Sequence, residues 1–305
     1  MSEDLLATLP DGRTLACRRV GDPKGPVVFH QHGGPSSRLE VVLMAEAAAR
    51  AGICLVGIDR PGIGRSTPHP GRSLRQWADD VLALADALGV VRFAVTGWSE
   101  GGPYALACAA GIPGERLSQT VSVAGGSYGA FGDNWAAPLQ SPVDRLGGWL
   151  CLHLHPGFRL MYDALAWDAV HFPASYLEQL KAAVNDDDRA CFDDPAVAEA
   201  FLATTRECFR QGSAGLVEDA TLLYRDWGLD FAAIAGPVDF WQGTDDRLVP
   251  SAINRPVAAA IPAAGWHEVA GAGHCVMLRT LDSIFSLCAR SLATRGAASG
   301  QAVAL

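Results

Sequence analysis

Gly97-Trp98-Ser99-Glu100-Gly101-Gly102-Pro103-Tyr104-Ala105 sets a hydroxyl nucleophile between glycines where a strand turns into a helix. The residues before it, Arg92-Phe93-Ala94-Val95-Thr96, read as a buried strand, and Tyr104 to Ala110 as a helix of small residues. At so sharp a junction, side chains on the flanking residues would collide with the neighbouring strand and helix, so glycine is wanted at both outer positions. The hydroxyl is lifted clear of the sheet, and the first amides of the helix point at whatever it attacks. Alone, a G-x-S-x-G match is equally compatible with an ordinary turn.

A serine of this kind is inert without a base to take its proton and an acid to orient that base. Near the C-terminal end, Trp266-His267-Glu268-Val269-Ala270 reads as a short strand followed by Gly271-Ala272-Gly273-His274, a glycine turn presenting a histidine. Upstream, Val238-Asp239-Phe240-Trp241-Gln242 reads as another strand, left by a loop that carries Asp245 and Asp246. His267, inside its strand, is expected to pack or face solvent, which leaves His274 as the base. A further strand, Val27-Val28-Phe29-His30-Gln31, runs into His32-Gly33-Gly34-Pro35, whose glycines let backbone approach a substrate oxygen closely. After Ile53 to Ile58 comes Asp59-Arg60-Pro61-Gly62-Ile63-Gly64-Arg65-Ser66.

Together, in this order, these motifs resemble cap-bearing members of the α/β-hydrolase superfamily of serine hydrolases. The resemblance runs from position 32 to 274 and implies Ser99 as nucleophile, His274 as base and Asp246 as orienting acid, the Gly243-x-x-Asp spacing selecting Asp246 over Asp245. It also implies an oxyanion hole from the backbone N–H groups of Gly34 and Glu100, with the Glu100 side chain outside the chemistry. An acid after the earlier strand is disfavoured, the nearest carboxylate being Asp133.

Strand and helix patterns alternate from about Thr14 to Ala124, including an amphipathic segment from Ser73 to Leu88, and imply a mostly parallel, eight-stranded-type sheet covered on both faces. From Ser127 to about Asp230 the pattern is helical and broken by prolines. It is expected to be a cap (127–230) inserted into a discontinuous core (1–126 and 231–305). Trp135, Trp149 and Trp167 are expected in the core of that cap, some of them against the pocket. The tail beyond Arg295 reads as frayed.

The 305 residues, 49% hydrophobic and 19% charged, describe a globular chain. A net charge of −9 without a Lys/Arg run argues against nucleic acid or an anionic membrane as partner. The eight cysteines lack paired spacing and suit a reducing compartment. With an acidic beginning and no long apolar run, a cytoplasmic protein is the expectation. His153 and His155 have alternate-residue spacing but no nearby ligand partner, so no metal is implied, and no cofactor either. His30 and His32 flank the oxyanion turn, where His32 is expected to bond local backbone. Asp59 to Ser66 is expected to be a structural turn, with substrate contact open only to Arg60 and Ser66. A homodimer is compatible with the sequence but not indicated by it.

Ser99 excludes epoxide hydrolase and haloalkane dehalogenase chemistry, which requires a carboxylate at that position. The expected function is hydrolysis of a carboxylic ester or lactone of a small to medium hydrophobic acyl substrate. Acyl transfer, lyase or C–C bond hydrolysis on the same three residues remain open. So do a proline iminopeptidase-like peptidase, although Ser36-Ser37-Arg38 departs from that family's turn, and a non-catalytic binding protein.

Overall fold

The computed structural model describes residues 3–262 and 264–294. The tail after Arg295, expected to fray, lies outside the described residues.

Eight strands form one sheet: β1 (Glu3–Thr8), β2 (Thr14–Gly21), β3 (Val27–Gln31), β4 (Cys54–Ile58), β5 (Phe93–Trp98), β6 (Leu117–Val123), β7 (Val238–Gly243) and β8 (Ala264–Val269). Their spatial order is β1-β2-β4-β3-β5-β6-β7-β8. Only β2 runs against its neighbours β1 and β4; every other pair is parallel. The hairpin partner β1, Glu3-Asp4-Leu5-Leu6-Ala7-Thr8, has no counterpart in the sequence reading, since two acidic residues mask its alternation.

The central strands are apolar along their whole length because both faces are covered. Cys54, Val56 and Ile58 of β4 pack in one layer, with α2 (Trp77–Ala87) and α3 (Gly101–Gly111), whereas Leu55 points into the other. That opposite layer is built on α1 (Ala45–Arg50), which follows a 3-10 turn at Arg38–Met44, and on the C-terminal helix described below. The segment read as helical from Ser73 begins its helix only at Trp77, the preceding turn being closed by shorter i→i+3 bonds, from Trp77 N–H to Leu74 O at 3.2 Å and from Ala78 N–H to Arg75 O at 3.3 Å.

Between β6 and β7 the chain adds no strand to the sheet. It forms α4 (Pro142–His153), α5 (His155–His171), α6 (Pro173–Ala183), α7 (Asp186–Phe192), α8 (Pro195–Cys208) and α9 (Ala214–Tyr224). Proline occupies the first turn of four of these, α4, α5, α6 and α8, where its missing N–H costs nothing. After β7, α10 (Ser251–Ala260) leads to β8, and α11 (Val276–Ala293) closes the chain. No helix among the described residues is long and apolar enough to cross a membrane.

Two expectations about the helical segment need correction. Trp149 and Trp167 are 52% and 61% exposed rather than core residues, and no tryptophan of the segment reaches the cavity described below. Trp135 is partly buried and donates to the Ser127 carbonyl at 2.7 Å. A tryptophan at helical spacing does not reveal which face of the helix is covered.

Candidate active site

Ser99 follows the end of β5 with φ +56°, a left-handed conformation that a non-glycine residue adopts only when its surroundings impose it. They do so here. The Ser99 N–H donates to Val123 O at 2.9 Å, and the Ser99 carbonyl accepts from Gly102 and Gly126. A Cβ on Gly97 would overlap the Gly101 carbonyl, and one on Gly101 would overlap the Gln31 carbonyl. Both outer glycines are therefore fixed by close backbone approach, as the elbow argument requires.

The structure brings Ser99, His274 and Asp246 together. His274 Nε2 lies 2.9 Å from Ser99 Oγ, and His274 Nδ1 lies 2.9 Å from Asp246 Oδ2. The carboxylate selects the tautomer with the proton on Nδ1, leaving Nε2 to accept from the serine. Asp246 is buried and accepts three further bonds, from Leu248 N and Val249 N at 2.9 Å each and from Gln242 Nε2 at 3.2 Å. Burial disfavours the His274 imidazolium, but the charge of Asp246 and its hydrogen bond outweigh burial, so the His274 pKa is raised. Asp245 is exposed and bonded to Thr244. Asp133 bonds Asp226 N, and His267 pairs with Asp239 at 2.6 Å while stacking on Trp241. His153 and His155 make ring contacts to Trp149 and Phe158, and no group of three metal-ligating side chains occurs among the described residues.

The turn after β3 is held from both sides. His32 Nδ1 donates to Gly33 O at 2.7 Å, the local bond expected of it. Arg60, fully buried, donates to His32 O at 2.6 Å and Gly33 O at 3.2 Å and pairs with Asp219 at 2.5 Å. Ser66, also buried, donates to Asp59 O. Neither Arg60 nor Ser66 lines the cavity, so substrate contact from that turn is not available to them. Gly34 and Glu100 both line the cavity together with Ser99, and a Cβ on Gly34 would overlap the Glu100 carboxylate.

Several residues that build this site gave no signal in the sequence. Glu40 accepts from Gly33 N, Ser36 Oγ and, at 2.7 Å, His30 Nε2, and so anchors the turn from below. Asp188 of α7 accepts from His274 N and Cys275 N, at 2.7 Å each, and Trp98 Nε1 donates to His274 O at 2.9 Å. Both fix the backbone that carries the histidine. The contacts of Asp188 and Trp98 join residues far apart in sequence, where no spacing rule operates, and those of Glu40 run through an irregular turn without helical or strand periodicity.

Above Ser99 lies a cavity of about 170 Å³. The segment between β6 and β7 supplies much of its wall, including Tyr162, Tyr176, Val184, Phe192, Phe201 and Tyr224. Aromatic phenols and rings, not the expected tryptophans, line it.

Residues 25–279 match the family described as alpha/beta hydrolase fold. Among curated proteins, the chain is 32% identical over 276 residues to a protein of Caulobacter sp. strain K31 provisionally named carbamate hydrolase RutD, covering 81% of this chain and 88% of that one. It is 31% identical over 117 residues to the bifunctional esterase/perhydrolase DCH of Acinetobacter calcoaceticus, a match spanning 38% of this chain and 42% of that protein. Among solved structures, an esterase from Exiguobacterium antarcticum superposes with a TM-score of 0.68 at 16% identity, covering 95% of this chain and all of that one. With a family match across most of its length, and strand order and elbow already in place, the chain belongs to the alpha/beta hydrolase fold family.

Proposed function

We propose that the protein is a serine hydrolase acting on a small carboxylic ester or lactone through an acyl-enzyme, with residues 127–230 as the cap over its site. The observation that carries this reading is the unbroken hydrogen-bonded line Ser99–His274–Asp246 opening into a small, mostly apolar cavity. Ser99 Oγ attacks the acyl carbon while His274 Nε2 takes its proton. The carbonyl oxygen, now an anion, is received by the N–H groups of Gly34 and Glu100, each worth about 3 kcal/mol in systems of this kind. His274 returns the proton to the departing alkoxide. Water, deprotonated by His274, then releases the acid and restores Ser99. At about 170 Å³ the cavity favours the small end of the expected substrate range.

A carbamate is a second reading, favoured by the relative named for that activity over 81% of the chain. The chemistry at Ser99 would be the same, with an amino or alkoxy group leaving.

The test is labelling by a fluorophosphonate, read by intact mass, alongside turnover of 4-nitrophenyl acetate. Both are expected in the parent protein and lost together in Ser99→Ala. A folded parent that neither labels nor turns over the ester overturns the reading. Turnover of a simple alkyl carbamate faster than the matching ester would favour the carbamate.

A further inference from the structure

Three carboxyl groups line the otherwise mostly apolar cavity over Ser99, and no lysine or arginine faces them among the described residues. Glu40, Glu100, Asp144, His274 and Cys275 are its ionisable liners besides tyrosines. Glu40 is saturated by its bonds to the turn. Glu100 is different, because its Oε2 is buried with no hydrogen-bond partner among the described residues. The guanidinium that attracts it, Arg60, is spent on Asp219 and two carbonyls. Burial pushes the Glu100 carboxyl up to about 7, against the attraction of Arg60, and burial likewise raises Asp144, which accepts from Ser141 at 2.7 Å. A buried carboxylate without a partner is costly, and its retention in a binding cavity calls for a cationic or hydrogen-bond-donating ligand.

Four tyrosines, Tyr128, Tyr162, Tyr176 and Tyr224, line the same cavity, and Tyr128 stacks on Tyr224 at 5.3 Å. Phenol rings beside carboxylates make a favourable surrounding for an ammonium group. The position of the carboxylate sets where that group must lie. Glu100 directly follows the nucleophile, and its carboxylate sits against Gly34, so close that no Cβ fits between them. An ammonium paired with it would lie on the Gly34 side of the cavity, beside the carbonyl that Gly34 and Ser99 would engage.

From this juxtaposition we infer that the cavity is a subsite for a cationic acyl group, and that the substrate is an α-amino acid ester or amide with a free amine. The inference rests on the hydrolase reading for the reaction and on Glu100 and Asp144 for recognition. The reaction is unchanged in balance: water adds across the acyl bond, and an amino acid and an alcohol or amine leave. Acyl groups carrying a carboxylate are excluded by the same charges.

Two measurements test it. Methyl esters of L-leucine and of 4-methylpentanoic acid differ only in the ammonium. The parent is expected to prefer the amino ester in kcat/KM by about tenfold or more, and Glu100→Gln to bring the ratio to within about threefold. Asp144→Asn is expected to lower the same ratio, with circular dichroism and melting establishing that both variants fold. The second readout needs no turnover. In Ser99→Ala, calorimetry should find L-leucinamide bound about tenfold more tightly than 4-methylpentanamide, and adding Glu100→Gln should remove the difference. Equal or weaker binding of the amine, or a preference untouched in folded Glu100→Gln, overturns the inference. An amine preference in Ser99→Ala beside a parent that neither labels nor hydrolyses would sink the hydrolase reading and leave the subsite standing. Labelling and ester turnover without that preference would do the reverse.

Discussion

Exchanging Asp246 for asparagine alters one atom, and the hydrogen bonds around it dictate where that atom goes. Oδ1 accepts from two backbone N–H groups, of Leu248 and Val249, and Oδ2 accepts from Gln242 Nε2 and His274 Nδ1. An amide NH2 in the Oδ1 place would face two immovable donors, at a cost of about 1–3 kcal/mol for each bond left unmade. It therefore takes the Oδ2 place. Gln242 cannot turn to meet it, since its own amide is held by Asn254 Nδ2 and Val249 O at 2.9 Å each. His274 Nδ1 must then accept, its proton moves to Nε2, and Nε2 can no longer accept from Ser99. The expected loss in kcat is roughly 10⁴-fold, or about 5.5 kcal/mol of barrier. The assay is 4-nitrophenyl acetate hydrolysis from pH 5 to 9. The parent rate should rise through a midpoint above 6.5, because the proposed mechanism takes neutral His274 as the base and its pKa is raised. The stability that protonated His274 contributes is present below 6.5 and lost as pH climbs through the folded value. Residual Asp246→Asn activity should rise at lower pH than the parent, the charge that favoured imidazolium being gone. Asp245→Asn, at an exposed side chain, should stay within about twofold of the parent. A folded Asp246→Asn keeping more than about a tenth of the rate, or a larger loss from Asp245→Asn, would refute the tautomer argument.

Other perturbations have equally definite outcomes. Gly34→Ala sets a Cβ into the Glu100 carboxylate and should lower kcat by about 10²- to 10³-fold through a displaced oxyanion donor; ester kinetics with an unchanged melting temperature would show it. Arg60→Met strips two carbonyls and buried Asp219 of a shared partner, leaving Asp219 with Arg72 and Tyr104. Urea denaturation should record a loss of about 3–5 kcal/mol, and a loss under about 1 would mean the network is redundant. The Glu100 carboxyl, raised from 4.5 to about 7, stays neutral in the fold while the unfolded chain already ionises. Parent stability should thus fall as pH rises from 4.5 to about 7, by at most about 3 kcal/mol and less where the cavity is wet. Glu100→Gln should match the parent near pH 4.5 and exceed it at pH 8, and a pH-independent difference would count against an unpartnered carboxyl.

Gly97 and Ser99 disclosed the elbow because their constraint is local, a positive φ at Ser99 and the close approach of the Gly101 carbonyl to Gly97, whereas the contact that fixes Gly101 comes from the distant Gln31 carbonyl. The glycine turn before His274 and the loop around Asp246 were legible for the same reason, each being the exit of a strand with its own periodicity. Alternating apolar and amphipathic runs likewise determined a parallel sheet covered on both faces, since burial on two sides leaves no polar positions in strands such as Cys54–Ile58. The tertiary structure alone decided which residues hold and line the site. Arg60 reaches Asp219 across 159 positions, and Asp188 reaches His274 across 86. Trp149 and Trp167 lie outside while Tyr162 and Tyr176 lie inside, because helix rotation is set by the partner surface and not by the helix's own sequence. The role of Glu100 divides along the same line: the place proposed for its backbone amide follows from its position after Ser99, but only the tertiary structure set its side chain against Gly34 as a buried carboxyl whose Oε2 has no hydrogen-bond partner among the described residues.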